Sequence, residues 1–271
     1  MKIFKNKEQL KQEIGNKKSI SFVPTMGGLH KGHISLIKRA KKYKNETLVS
    51  IYINPKQFNK KEDYKNYPRN LGKDLKILRK LKVDYLYLPT YKDLFKFKPS
   101  NRIYLHKFSK ILCGKYRKYH FKGVLDVINR FLEIIHPKYL FLGLKDFQQL
   151  TLIKKHVFKN KINTKIISCK TIRESNGVAC STRNFNLDKK QIEIAKNVYN
   201  YLIKIKKNTK KKFKLFNFLL FKKNLIKLGV NKIDYLEIIN QKSLRRPRKS
   251  KESFSIFVAY YLNKVRLIDN I

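Results

Sequence analysis

Pro24-Thr25-Met26-Gly27-Gly28-Leu29-His30-Lys31-Gly32-His33 decides how this chain is read. The run before it, Ser19-Ile20-Ser21-Phe22-Val23, is apolar and β-prone, and residues 34–43 repeat apolar side chains at helical spacing. A buried strand, a glycine-rich turn, two histidines three apart and then a helix outline a phosphate site. The free backbone N–H groups and the dipole of a helix start favour an anion. The glycines let backbone and ligand approach closely. Imidazoles on the first turn can donate to phosphate oxygens as charge develops, which suits transfer of a nucleotidyl group. A bare His-x-x-His is more often two surface histidines. The full ten-residue string behind a buried strand carries the reading.

Outward from this stretch the pattern repeats. Residues 47–53 form a second buried strand ending in Asn54-Pro55-Lys56-Gln57-Phe58, where proline cannot continue a central strand. A helix is predicted over 71–82 and a third strand over 83–88, closed by Pro89. Strand alternating with helix predicts an α/β fold, a Rossmann-like doubly wound parallel sheet whose ligands bind at the carboxyl ends of the strands. Residues 24–33 and 54–58 both sit at such ends. Before them, residues 2–14 read as one amphipathic helix, stopped at Gly15-Asn16. After them come an irregular stretch at 100–118 with a short strand at 103–106, a helix at 121–135 and a strand at 138–142. Gly143-Leu144-Lys145-Asp146-Phe147-Gln148-Gln149 then leads into a helix ending near 159, followed by a strand at 165–169. Past a polar loop at 170–187, lysine-rich helices at 188–208 and 213–229 and strands at 234–239, 253–261 and 265–268 describe a smaller α+β domain. The boundary falls at 172, giving domains 1–172 and 173–271.

Composition narrows the class. No stretch approaches the roughly 18 apolar residues of a membrane span, and the first residues hold no apolar signal core. A cytoplasmic protein without a membrane partner is expected. Cys113, Cys169 and Cys180 are too few and too scattered for a metal cluster or a disulfide framework. The net charge of +47 invites a nucleic-acid partner. Its lysines are spread along the whole chain rather than gathered on one element, and the densest run, 204–214, reads equally as a solvated helix end. Nucleic acid is therefore not expected as a partner.

Several strings occur in order: Pro-Thr-Met-Gly-x-Leu-His-x-Gly-His at 24–33, Asn-Pro-x-Gln-Phe at 54–58, Tyr-Pro-Arg at 67–69, Lys-Asp-Phe-Gln-Gln-Leu at 145–150, Ser-Thr-Arg-Asn at 181–184 and Arg-Leu-Ile-Asp-Asn at 266–270. Together they resemble the pantothenate synthetase (pantoate–β-alanine ligase) family of the His-x-Gly-His nucleotidyltransferase superfamily, over essentially the whole chain. The resemblance implies joining of pantoate to β-alanine at the expense of ATP, through a pantoyl-adenylate, with release of pyrophosphate and AMP. It implies that His30 and His33 act on the phosphates, with His33 the proton donor. Met26, Gly27, Gly28, Leu29, Lys31 and Gly32 complete the first ATP segment. Gly143, Leu144, Lys145 and Asp146 form a second, Ile172 meets adenine, and Cys180, Ser181, Thr182 and Arg183 form a third. Gln57 and Gln149 hold pantoate, as amides can both donate and accept. Arg117 and His120 match a basic loop near the substrates. Mg2+ rides on the phosphates without a dedicated protein metal site, and a homodimer forms through the N-terminal domains.

The sequence departs from the family pattern at Lys73, where an acid usually precedes Asp74, at Cys113 and Leu144, which replace glutamates, at Lys118, which replaces a proline, and at Cys180, which replaces Met or Leu. Lys73 argues against an acidic pair that helps to hold magnesium. Another nucleotidyltransferase with a phosphorylated substrate is disfavoured by the two glutamines, because a phosphate acceptor calls for arginines.

Overall fold

The chain opens with a strand, β1 (Lys2–Phe4), and a helix, α1 (Lys7–Ile14), where the spacing predicts a single helix over 2–14. Asn6 makes the break. Its backbone is extended and its Oδ1 accepts the N–H groups of Glu8 and Gln9, which starts a helix there and no earlier. In this computed structural model residues 1–15, 19–211, 217–247 and 252–271 are described, with 210 and 211 by backbone alone. Asn16, residues 213–216 of the second lysine-rich helix and residues 212–214 of the basic run lie outside that set.

The chain continues through β2 (Ile20–Thr25), α2 (Lys31–Lys41), β3 (Glu46–Ile51), α3 (Lys61–Lys65), α4 (Leu71–Lys80), β4 (Tyr85–Tyr87), α5 (Tyr91–Phe95), α6 (Cys113–Tyr116), α7 (His120–Ile135), β5 (Tyr139–Gly143), α8 (Phe147–Lys159) and β6 (Lys165–Cys169). The strands form a parallel sheet in the order β1-β4-β3-β2-β5-β6. This is the doubly wound sheet that the strand–helix alternation predicts. Its strand order reverses at β2, between β3 and β5. That reversal is the topological switch point where such sheets bind ligands. Val23, Val49, Leu86 and Phe141 bury one face against Ile37, Ala40 and Leu78 from the helices.

Pro24 stands inside β2, a strand with neighbours on both sides. The Thr25 carbonyl accepts from Tyr52 N on the β3 side, so Pro24 faces the other way. There the β2–β5 ladder has already ended at Phe22, and the missing proline N–H breaks no ladder bond. Beyond Phe22 the two strands part, which opens the sheet at the switch point.

The strand predicted at 103–106 is not formed. Tyr104 N donates instead to Nδ1 of the buried His156 on α8, 3.2 Å away, so a side chain takes the place of a strand partner.

By internal contacts the chain divides into Met1–Ile172 and Arg173–Ile271. The second unit holds α9 (Lys189–Lys211), α10 (Phe218–Lys227) and an antiparallel sheet of β7 (Lys232–Ile239), β8 (Ser255–Leu262) and β9 (Val265–Asn270). Leu202, Ile205 and Leu225 from the helices pack on Leu236, Ile256 and Val258 from the sheet. Among the described residues no helix is long and apolar enough to cross a membrane.

Candidate functional site

β2 delivers the chain into a turn in which Gly27 and Gly28 both take positive φ, 74° and 59°, a conformation that favours glycine. A side chain at Gly27 would meet Asp74 Oδ2 at 3.0 Å and Ile51 Cγ2 at 3.1 Å. The reason for this tightness is Asp74 itself. This α4 residue is buried, and its carboxylate accepts from Gly28 N at 2.9 Å and Leu29 N at 2.8 Å. Burial raises its pKa, while the hydrogen bonds from Leu29 and Gly28 and the charge of Lys73 hold the rise back. Asp74 is thus a fixed support for the turn. Nothing in a local reading of the sequence flags it, because its partners lie 45 and 46 positions away.

The two histidines occupy the first turn of α2 in a specific way. His30 is the N-cap, and its Nδ1 accepts from Gly32 N at 3.0 Å. His33 is the third helical residue, and its Nδ1 receives the N–H of His30 at 3.4 Å. Together they form a capping box built from imidazoles, with ring centroids 4.1 Å apart. Since each Nδ1 accepts from a backbone N–H, each neutral ring carries its hydrogen on Nε2. Burial, then the neighbouring charges of His30 and Lys145, lowers the pKa of His33 well below 6.5. At neutral pH His33 is therefore a neutral imidazole that donates from Nε2. The electrostatic reach of Lys145 to His33 ties the end of β5 to the end of β2 across the switch point.

At that second strand end Gly143 closes β5 and Leu144, Lys145 and Asp146 form a 3-10 turn into α8. Lys145 Nζ lies 3.5 Å from Asp146 Oδ1. That is a loose, half-buried pair at the limit of ion-pair distance. Gln149 is half-buried in the first turn of α8, whereas its neighbour Gln148 is buried and fully engaged. Gln148 Oε1 accepts from Cys113 N at 3.0 Å, and its Nε2 donates to the carbonyls of Phe108 and Ile111, both at 2.7 Å. The doubled Gln-Gln therefore divides, with Gln148 committed to structure and Gln149 left half-buried beside it. Cys113 meets Gln148 through its backbone, so the loss of a glutamate at 113 leaves that contact intact.

Past β3, Asn54 caps a short 3-10 turn, Pro55–Gln57. Asn54 is buried. Its Oδ1 accepts from Lys56 N at 3.2 Å, and its Nδ2 donates to the Gly123 carbonyl of α7 at 3.0 Å. Gln57 Nε2 reaches Met26 Sδ at 2.7 Å, which brings the residue predicted to hold the acid substrate against the turn predicted to hold the nucleotide. Arg117 and His120 reach this place too, through contacts with the Gln57 backbone carbonyl. Lys31 is exposed and Gly32 half-buried beside the histidines.

Within the second unit, Arg173 forms an isolated bridge with Ala179. Ser181 caps a 3-10 turn, Thr182–Asn186, with its Oγ accepting from Arg183 N at 3.3 Å. Cys180 is buried, and its thiol donates to Glu174 Oε1 at 3.2 Å. Asn184 Nδ2 donates to the Ala179 carbonyl at 3.0 Å. Ile172 is half-buried at the end of the first unit. The terminal Arg-Leu-Ile-Asp-Asn string turns out to be structural. Arg266 pairs with the buried Asp234 at 2.8 Å, and Asp269 receives both ends of the Arg173 guanidinium at 2.7 and 2.9 Å.

Among the described residues no group of three or more His, Cys, Asp or Glu side chains could hold a metal ion. Both oxygens of Asp74 are already engaged with backbone N–H groups, which leaves Asp146 as the acid beside the cationic side of the site.

Comparison with known proteins follows the same outline. The family model described as pantoate–β-alanine ligase matches residues 2–271. A pantothenate synthetase of Francisella philomiragia is 41% identical over 276 residues, which cover all of this chain and 97% of that protein. The crystal structure of the pantoate–β-alanine ligase from Francisella tularensis, complexed with β-γ ATP and β-alanine, is 39% identical with a TM-score of 0.85, covering 100% of this chain and 97% of that one. The pantothenate synthetase of Thermus thermophilus is 27% identical with a TM-score of 0.89, covering 100% and 99%.

Proposed function

The chain belongs to the pantoate–β-alanine ligase family and joins pantoate to β-alanine with ATP, and from that premise we propose how its residues divide the work. The observation that carries the reading is the imidazole capping box. It fixes both rings by Nδ1 and so puts each Nε2–H at a helix start, with the charge of Lys145 reaching His33, at the switch point of the sheet. This is a set of donors fixed before the phosphates arrive, the arrangement that stabilises developing charge most effectively.

In the proposed first step the pantoate carboxylate attacks the α-phosphate of ATP and pyrophosphate leaves. Gln57 and Gln149 hold pantoate by its carboxylate and hydroxyl groups. Met26 to Gly32 cradle the nucleotide, and His30, His33 and Lys145 receive the charge that builds on the phosphate oxygens. The resemblance casts His33 as the proton donor of the set; the neutral ring offers its Nε2 hydrogen as a hydrogen bond rather than giving up a proton. Asp146 binds the nucleotide's sugar or steadies Lys145. Gly143 and Leu144 line the same wall by their backbone, and Ile172 meets the adenine. Cys180, Ser181, Thr182 and Arg183 of the smaller unit form the further ATP anchor. In the second step the β-alanine amine attacks the pantoyl-adenylate carbonyl and AMP leaves, so no enzyme nucleophile is consumed.

The donor set fits magnesium carried on the nucleotide. Mg2+ keeps several waters and takes phosphate oxygens with few protein ligands, so it would ride on the nucleotide. Carried there, the ion would neutralise phosphate charge and orient the leaving group. By the family resemblance the chain is further proposed to act in the cytoplasm as a homodimer formed through its larger unit, which light scattering reads directly.

Isotope exchange between pyrophosphate and ATP tests the scheme. Exchange requires pantoate and proceeds without β-alanine, and His33→Ala abolishes it. Exchange that ignores pantoate overturns the adenylate step.

A further inference from the structure

The chain around residue 119 takes an unusual course. Tyr119 is left-handed, with φ of 63° and ψ of −5°, a conformation that costs a non-glycine residue energy and persists where surroundings impose it. The turn brings the side chains of Arg117 and His120, on either side of Tyr119, to 3.1 Å from each other. Both then converge on one atom. Arg117 Nη2 donates to the backbone carbonyl of Gln57 at 3.1 Å, and His120 Nδ1 lies 2.7 Å from the same oxygen.

The chemistry fixes the tautomer. A carbonyl oxygen only accepts, so His120 carries its hydrogen on Nδ1. Nε2 is then the lone-pair nitrogen, and it accepts from Arg117 Nη1. Arg117 therefore holds the Gln57 carbonyl directly and also locks the imidazole that holds it. A guanidinium could not be replaced here by a point-charge ammonium without losing one of the two bonds.

The turn that bears Gln57 is gripped from its other side as well. Asn54 Nδ2 donates to the Gly123 carbonyl, and α7 approaches so closely at Gly123 that a Cβ there would lie 2.4 Å from the Lys56 carbonyl oxygen. The three-residue turn has no buried side chain of its own. Its placement comes from these contacts with the start of α7.

We propose that Arg117 and His120 are positioning residues for the acid substrate: they clamp the Gln57 carbonyl and so set the direction of the Gln57 amide toward pantoate. The inference rests on the reading of Gln57 as a pantoate ligand. Neither side chain has to touch substrate for the clamp to act.

Steady-state kinetics on the whole enzyme separate the cases. His120→Phe and Arg117→Met each raise the KM for pantoate by about tenfold, the scale of one lost charge-assisted or neutral hydrogen bond, and leave the KM for ATP within about twofold. His120→Asn, whose amide N–H can replace Nδ1–H, recovers most of the loss. The double variant Gln57→Ala/His120→Phe is no worse toward pantoate than Gln57→Ala alone, because the clamp has nothing left to aim. Thermal unfolding of each variant sets aside any that fail to fold, and His120→Asn and Arg117→Lys then carry the comparison. Equal rises in both KM values, or full additivity in the double variant, overturn the clamp while leaving the role of Gln57 intact. An unchanged pantoate KM in Gln57→Ala overturns that role and the clamp with it.

Discussion

Asp74 Oδ2 stands 2.9 Å from the backbone nitrogen of Gly28, and its other oxygen takes Leu29 N at 2.8 Å. A carboxylate on α4 thereby shapes the turn that ends β2. Asp74→Asn keeps one acceptor and turns an N–H2 toward the remaining backbone N–H. Leaving that buried donor unpaired costs about 1–3 kcal/mol. The same loss frees a turn whose two glycines have positive φ and little side-chain packing to hold them. Denaturant unfolding should show the loss of stability, and pyrophosphate exchange should show a raised KM for ATP with pantoate affinity held. An Asp74→Asn enzyme with wild-type ATP affinity would separate the turn from nucleotide binding.

Gly123 is the position where α7 and the Gln57 turn come closest. Gly123→Ala puts a methyl group 2.4 Å from the Lys56 carbonyl oxygen, and neither partner is a flexible side-chain end. Overpacking of this kind costs about 1–3 kcal/mol. The yielding part is the short turn rather than the sixteen-residue helix. The expected outcome is a pantoate KM raised more than the ATP KM. An unfolding midpoint that falls with no change in pantoate KM would mean that the helix, not the turn, gives way.

Much of this arrangement is legible in the sequence because it is local. Buried strands closed by Pro or Gly and followed by periodic helices announce the parallel sheet, and 24–33 announces its ligand-binding end. What escapes is the part made by distant partners. Asn6 ends one element and starts another within a stretch whose periodicity looks continuous. Residues 103–106 have strand-like composition, but their partner is an imidazole on α8. Lys73 argues against a magnesium pair, yet the work of Asp74 appears only when α4 is folded against the turn. The Arg-Leu-Ile-Asp-Asn string is informative as a signature, and its physical meaning lies in Asp234 and Arg173, far away in the chain. Gln148 and Gln149 look alike in sequence, and only burial distinguishes the structural amide from the half-buried one.

His156 gives a pH prediction. It is fully buried, its Nδ1 accepts from Tyr104 N and its Nε2 donates to Asn129 Oδ1 at 3.0 Å. Burial lowers its pKa from 6.5 to about 4. The folded state thus binds the proton more weakly than the unfolded chain. Stability from the neutral ring is fully present above pH 6.5 and is lost as the pH falls from there to about 4. The gap corresponds to about 3 kcal/mol across that window. His33, lowered in the same direction, adds to the slope. Unfolding free energies at pH 7 and pH 4.5 should show the loss, and His156→Gln, uncharged at both, should flatten part of it. An unchanged slope in His156→Gln would assign the acid sensitivity elsewhere.

In the smaller unit Arg173 is the residue on which the 173–184 loop hangs. Its guanidinium donates to both oxygens of Asp269, to the Gly177 carbonyl at 3.0 Å and to the Asn270 carbonyl at 3.3 Å, and it lies 4.6 Å from the centre of the Tyr199 ring. Burial works against its charge, but the hydrogen bonds and charge of Asp269 outweigh this and raise its pKa further. Arg173→Lys retains charge but cannot span Asp269 with two bonds and still reach Gly177. Arg173→Met leaves Asp269 as an unpaired, largely buried carboxylate and should cost about 3–5 kcal/mol. Because the bridge from Arg173 to Ala179 leads straight into Ser181, Thr182 and Arg183, the lysine variant should also raise the KM for ATP several-fold. Pantoate affinity should hold, since its proposed ligands lie in the other unit. Should Arg173→Lys lose stability while keeping the ATP KM of the parent, the loop would be fixed by its other bonds, chiefly Asn184 to the Ala179 carbonyl, and Arg173 would serve the fold alone.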